Sequence, residues 1–391
     1  MKNKKNVGIY VHIPFCKQKC KYCDFKSYVG KENKIESYIK WLTYEIKEIG
    51  EGNRLDYENN LDDLVVIDTI YIGGGTPSFI ESKYIKNIMD AIKENYTLAD
   101  NVEVTIEVNP GTVTEEKLLD YKNAGINRLS IGLQSCKKEL LEELGRIHNY
   151  EEFENTYKLA RKIGFENINV DLMIGLPNQI IKDIKDSLNK IIKLEPEHIS
   201  VYSLIVEEET PIFKEIQNET LKLPSDELER KMYWYVKDEL EKSGYAHYEI
   251  SNFAKTGFES KHNMNCWKQQ EYIGVGAAAH SYTNGVRFSN VDTIEEYISN
   301  YEKGKEEDNL IFHEKQNKQS MMKEYMMLGL RKIEGIKIQD FKNKFAENPI
   351  FSYRKELEKL VNEELIEIDG DVIKLTKKGL DLANLVWEEF V

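Results

Sequence analysis

Short apolar, β-branched runs alternate along the first half of the chain with longer stretches whose apolar residues recur at helical spacing. The run 7–13 ends in a cysteine-rich loop, and Ile35, Tyr38, Ile39, Leu42, Ile46 and Ile49 then share one face of a predicted helix. The run 66–72 predicts a second strand and stops at Gly73-Gly-Gly-Thr-Pro77. Val102, Val104, Ile106 and Val108 alternate strictly, as a half-buried strand does, and give way to Asn109-Pro-Gly111. The runs 128–133, 167–174 and 198–206 lead into Gln134, Gly175-Leu-Pro177 and an acidic turn. Six such strand–helix units predict a parallel sheet with crossover helices. The strands are evenly spaced and none is followed by a Gly-x-Gly-x-x-Gly phosphate loop, so a dinucleotide fold is not the first choice. The expected class is α/β, a partial (β/α)6 TIM-like barrel, which carries its chemistry on the loops after the C-terminal strand ends.

The pattern changes after Tyr301. A charged connector, 304–309, precedes a Met-rich helix containing Met321, Tyr325, Met326, Leu328 and Leu330. Helices at 341–346 and 356–364, a hairpin formed by 365–368 and 372–375, and a closing amphipathic helix make a winged-helix-like α+β unit. The expected division is a core at 1–235, a connecting segment at 236–305 and a C-terminal domain at 306–391.

The barrel rule gathers the polar residues onto one rim. Cys16, Cys20 and Cys23 follow the first strand, three glycines the second, and Glu107 stands near the end of the third. Gln134 follows the fourth strand and Asp171 lies near the end of the fifth. Three thiolates so close in sequence can converge on one soft-metal centre. A cubane has four irons, each usually held by a cysteine, so three leave one iron open. A disulfide framework needs a small secreted chain, and a zinc ribbon needs a second pair, whereas Cys136 and Cys266 stand alone. Adjacent glycines let a backbone approach a ligand closely. Glu107 and Asp171 suit a ligand's ammonium or ribose hydroxyls, although Asp171 also reads as a buried, paired acid. Arg146 can clamp a carboxylate through its fork or be a surface arginine. Taken from the residues alone, His262 and His280 read as structural histidines.

Composition narrows the classes. The chain has 391 residues, 41% hydrophobic and 31% charged, with a net charge of −14. That balance argues against nucleic acid and anionic lipid as general partners. No apolar run approaches the length of a membrane span. The basic start at 1–6 is followed by a stretch broken by His12 and Pro14, unlike an export signal. With free thiols, this points to the cytoplasm, and leaves room for peripheral association at the inner face of the membrane.

The Cys-x₃-Cys-x₂-Cys loop followed by Gly-Gly-Gly-Thr-Pro resembles the radical S-adenosylmethionine (SAM) enzymes. Tyr10-Val-His-Ile-Pro-Phe-Cys16, Glu107-Val-Asn-Pro-Gly111, Arg128-Leu-Ser-Ile-Gly-Leu-Gln-Ser135, Arg146-Ile-His-Asn149 and Asp171-Leu-Met-Ile-Gly-Leu-Pro177 are similar to the oxygen-independent coproporphyrinogen III oxidase branch of that superfamily. The resemblance implies a [4Fe–4S] cluster on Cys16, Cys20 and Cys23, with SAM chelating the fourth iron and yielding a 5′-deoxyadenosyl radical. It implies that Tyr10 and Tyr22 lie beside the cluster and SAM. Gly74, Gly75 and Thr76 would contact SAM, Glu107 its polar end and Asp171 its ribose. Positions matching Gly75, Thr76, Gln134 and Arg146 serve a second SAM in the oxidase.

Two departures point towards the haem chaperones of the same branch. The oxidase has a further cysteine two residues after the third, where this chain has Phe25. It also has a longer region ahead of the cluster. Glu249-Ile-Ser-Asn-Phe-Ala254 and His262-Asn-Met-Asn-Cys-Trp267 resemble the chaperones' haem-associated motif, with Cys266 where the family has tyrosine. His262 and Cys266 are thus the implied haem ligands. The expected function is to bind haem as cargo and deliver it to a haem-accepting respiratory protein. Flavodoxin or ferredoxin is the kind of electron donor implied. The alternative is oxidative decarboxylation of coproporphyrinogen.

Overall fold

Valine, isoleucine and leucine at alternate positions give each strand-like run one face that must leave water, and these faces assemble one sheet. In the computed structural model, residues 4–52 and 64–391 are described. The first six strands are β1 (Lys4–Ile13), β2 (Leu64–Gly74), β3 (Leu98–Val108), β4 (Arg128–Gln134), β5 (Ile168–Ile174) and β6 (His198–Ser203). They run parallel and pair in chain order. Ile9, Val11, Ile13, Ile70, Ile72, Val104, Ile106, Leu129 and Ile131 are buried in one cluster with the inner faces of the crossover helices. The helix Ile35–Gly50 contributes Tyr38, Ile39, Leu42, Ile46 and Ile49. Each such side chain is worth about 1.5–3 kcal/mol when fully buried, so this shared layer outweighs local propensity.

β6 is shorter than the predicted run 198–206. Leu204 leaves the sheet to pack with Leu140, Leu144, Met173, Leu176 and Ile212. Of the basic start at 1–6, residues 1–3 lie outside the described residues, and the rest belongs to β1.

The sheet is wider than the six predicted units. β7 (Ala246–Glu249) and β8 (Asn252–Ala254) extend it beyond β6. β9 (Tyr272–Val275) returns to lie parallel to β1, and β10 (His280–Thr283), β11 (Val286–Asn290) and β12 (Leu310–Lys315) continue antiparallel from it. Residues read as a connecting segment therefore supply strands at both ends of the sheet. The strand order runs from β12 to β7, with no closing pair among the described residues.

A second core gathers Met322, Met326, Phe341, Leu357, Leu360, Ile373 and Val386. It lies around β13 (Ile336–Lys337), β14 (Ile366–Asp369) and β15 (Val372–Leu375), which form an antiparallel three-stranded sheet. The expected Met-rich helix is Lys318–Gly329, and its Met322 and Met326 are core filler rather than a surface. Among the described residues no helix is long and apolar enough to cross a membrane.

Candidate functional site

The strand residues that alternate with the apolar layer are polar. Tyr71 and Gly73 on β2, Thr105 and Glu107 on β3, Arg128, Ser130 and Gly132 on β4, Asn169 and Asp171 on β5, and His198 and Ser200 on β6 share this parity. A TIM-type barrel ordinarily fills its interior with branched apolar side chains. Here the concave face encloses a cavity of about 450 Å³, lined by Tyr71, Glu107, Arg128, Ser130, Asn169 and Asp171 among others. Burying so many polar groups is unfavourable unless they are satisfied by one another or by a ligand.

The cysteine loop closes one side of this cavity. Cys16 N–H donates to the Tyr28 carbonyl (3.0 Å) and Tyr28 N–H to the Pro14 carbonyl (2.8 Å), pinning the loop's two ends together. Lys21 N–H donates to the Leu144 carbonyl (2.9 Å), which ties its middle to the far side of the rim. Cys16, Cys20 and Cys23 are all free thiols that line the cavity. Burial pushes the Cys23 thiol up to about 11, so it needs a cationic partner to be a thiolate at neutral pH. Among the described residues no group of three His, Cys, Asp or Glu is close enough to hold a single metal ion. Thiolates around a cubane each bind a different iron, and three free thiols on one cavity wall are a donor set that a cluster can use.

The glycine turn is fitted against this loop. Gly75 N–H donates to the Ile13 carbonyl and Thr76 N–H to the Phe15 carbonyl, both at 2.9 Å. The Thr76 hydroxyl donates to Cys16 Sγ at 3.5 Å. A Cβ on Gly75 would stand 3.0 Å from that sulfur. Gly74 has φ +111°, and a Cβ there would fall 2.6 Å from the His12 ring. Gly74→Ala is therefore expected to destabilise the protein by about 2 kcal/mol or more. Urea unfolding checks this: the midpoint should fall with the slope unchanged.

Two carboxylates line the cavity. Glu107 accepts from the Tyr71 hydroxyl (2.9 Å) and from Gly74 N–H (3.2 Å). Burial pushes its carboxyl up to about 7, and the Asp171 carboxylate adds to the shift. Burial also raises Asp171, opposed by hydrogen bonds including those from Asn169 Nδ2 (2.7 Å) and the Ser130 hydroxyl (3.3 Å). Arg146 Nη2 donates to Asn109 Oδ1 (2.9 Å) and to the Gly132 carbonyl (2.6 Å), and Nη1 to Cys20 Sγ (3.5 Å). Its Nε is buried with no hydrogen-bond partner among the described residues. Gln134 ends β4 at a bulge with φ 69°, a region few non-glycine residues enter. Tyr22 lines the cavity with them.

The family description "Radical SAM superfamily" matches residues 10–191, and "HemN C-terminal domain" matches residues 316–382. The chain is 38% identical to the heme chaperone HemW of Bacillus subtilis over 98% of both chains. It is 36% identical to the heme chaperone HemW of Lactococcus lactis over 98% of this chain and 96% of that one. The chain belongs to the HemW family of radical SAM proteins. Its fold is similar to that of coproporphyrinogen III oxidase (HemN) from Escherichia coli, with a TM-score of 0.84 and 22% identity over 100% of this chain and 91% of that one.

Not every residue implied by the sequence reaches the cavity: Tyr10, His262 and Cys266 do not. The Tyr10 hydroxyl bonds His12 Nδ1 at 2.9 Å. His262 lies nearer the N-terminal ends of the strands, 7% exposed, with Nδ1 2.9 Å from the Thr69 hydroxyl. The Tyr71 ring, which lines the cavity, is stacked on it with centroids 5.2 Å apart. Burial pushes its imidazole down to about 4 and the Cys266 thiol up to about 11. The helix Lys261–Trp267 that carries both is a plug: its Lys261 and His262 N–H groups donate to Glu103 at 3.1 and 3.0 Å. Trp267 then faces the Arg331 guanidinium, which also lies over Trp387, joining the C-terminal unit to the sheet.

Asn109 was legible only as part of its turn, yet it links Arg146 to the Thr76 hydroxyl, to which its Nδ2 donates at 3.0 Å. Tyr71, Ser130 and Asn169 were missed as well. The polar alternate position in each strand is the signal that marks them.

Proposed function

We propose that this protein is a haem chaperone that carries a SAM-bound [4Fe–4S] cluster and hands haem to respiratory haemoproteins. The observation that carries this reading is the 36–38% identity to two HemW heme chaperones across 98% of the chain. Phe25, in place of a fourth cysteine, supports it over the oxidase reading. The donor set suits the implied cofactors: three free thiols, a glycine cradle that a Cβ would fill, and a buried Arg146 Nε without a partner.

Cys16, Cys20 and Cys23 would hold the cluster. When bound, the cluster and SAM supply one-electron chemistry and a site-differentiated iron. Gly74, Gly75 and Thr76 would present backbone groups to SAM, with Tyr22 beside them. Glu107 would accept from its polar end and Asp171 would take its ribose hydroxyls. Gln134 and Arg146 would serve a second SAM with Gly75 and Thr76. A flavodoxin- or ferredoxin-like donor would reduce the cluster, in the cytoplasm or at the inner face of the membrane.

A transfer assay tests the reading. Haem-loaded protein is mixed with a respiratory apo-cytochrome or with apomyoglobin as a passive scavenger. Faster delivery to the cytochrome is expected. Equal rates to both, set by haem dissociation alone, would contradict it.

A further inference from the structure

The cavity runs deeper than the rim that carries the cysteines. Strand register puts Tyr71, Thr105 and Arg128 in one row across β2, β3 and β4, and all three line it. Gly132, at the rim end of β4, stands four residues beyond Arg128, about 13 Å along the strand. The row is therefore a floor, below the glycine turn and the cysteine loop.

Arg128 brings a positive charge to this floor with no anion to meet it. The residue is 2% exposed. Its Nη1 donates to two neutral acceptors, Asn167 Oδ1 at 2.6 Å and the Phe258 carbonyl at 3.3 Å. Nε and Nη2 have no hydrogen-bond partner among the described residues, and no carboxylate among them lies within ion-pair distance. The acids of the neighbouring strands are engaged elsewhere. Glu103, two residues before Thr105, accepts from the Lys261 and His262 N–H groups. Glu107 accepts from Tyr71 and Gly74, and Asp171 from Asn169 and Ser130. The Thr105 hydroxyl is a second unmet group, buried and without a hydrogen-bond partner among the described residues. A buried guanidinium without a counter-charge is costly, as is a buried hydroxyl without a partner. One anion would satisfy both.

The groups on the wall select the kind of anion. Nε and Nη2 form one edge of the guanidinium fork, which matches both oxygens of a carboxylate. Glu107 and Asp171 stand higher on the same wall and repel a dianion more than a monoanion. We propose that Arg128, with the Thr105 hydroxyl, forms a second binding subsite at the floor of the lumen, which takes the carboxylate of a small organic molecule. The site stands on the floor residues alone and does not rest on the SAM or haem reading.

The test is calorimetric titration of the full chain, its cluster reconstituted, with butyrate and separately with inorganic phosphate. Wild-type protein should bind butyrate, and phosphate more weakly. Arg128→Met should weaken butyrate binding at least about tenfold, and Thr105→Val about three- to tenfold. The valine is nearly isosteric and its position loses no hydrogen bond, so the urea midpoint should not fall. That variant decides the matter if Arg128→Met does not fold. Butyrate should raise the urea midpoint of the wild type and leave that of Arg128→Met unmoved, a linkage that a merely structural arginine does not produce. Unchanged butyrate affinity in both variants would overturn the site, as would wild-type protein that binds no butyrate or prefers phosphate. Wild-type protein that takes butyrate but not SAM would overturn the SAM assignment and leave this one standing.

Discussion

A Cys20→Ala variant is expected to fold normally and to lose the visible iron–sulfur absorbance on reconstitution. Cys20 lies on the loop after β1, half-buried, outside every apolar cluster. Its backbone carbonyl still receives Cys23 N–H at 3.2 Å whatever the side chain, so the loop keeps its path. Removing one thiolate of three leaves an iron with no protein anchor, and the site cannot be closed by Cys136 or Cys266. Burial holds those thiols up, at about 12 and about 11, and neither lines the cavity. The expected change in folding stability is within about 1 kcal/mol. Absorbance and iron content after anaerobic reconstitution measure the effect. A full cluster in the variant would remove Cys20 from the ligand set.

Glu107→Gln should weaken SAM binding by about ten- to hundredfold, the worth of a charge-assisted hydrogen bond in a buried site. The same change should stabilise the ligand-free protein. Glu107 is raised from its ordinary value of 4.5 to about 7, chiefly by burial. Between those pH values the folded protein holds a proton that the unfolded chain has released. Stability therefore falls as pH rises through this window, and the full penalty, on the order of 3 kcal/mol, is present above it. Glutamine carries no charge and escapes the penalty while keeping an acceptor for Tyr71 or Gly74. Urea unfolding at pH 8 should favour the variant, and at pH 4 the difference should shrink. A variant that loses stability equally at both pH values would show that Glu107 is a structural residue and not a binding group held at a cost.

The six parallel strands were legible because each carries its apolar residues at a period of two. The cysteines and glycines were legible because few other chemistries need that spacing. The edge strands were not, for a physical reason: β9 is Tyr272–Val275, four residues that become a strand only by pairing with Gly8–Val11 far away in the chain. His262 shows the same limit at the site. Its motif suggested a ligand, but whether it faces the cavity depends on where the helix Lys261–Trp267 docks, which Glu103, Asp68 and Arg331 decide. The polar lumen was written in the sequence all along. Tyr71, Thr105, Ser130 and Asn169 hold the positions that alternate with the apolar half of each strand.

The central claim, that a radical SAM scaffold here carries haem, is tested most directly by one comparison. The cluster is reconstituted anaerobically, and the protein is given either haem or coproporphyrinogen with SAM and a reductant. Stoichiometric haem binding with no protoporphyrinogen formed is the predicted result. Turnover of coproporphyrinogen would contradict it.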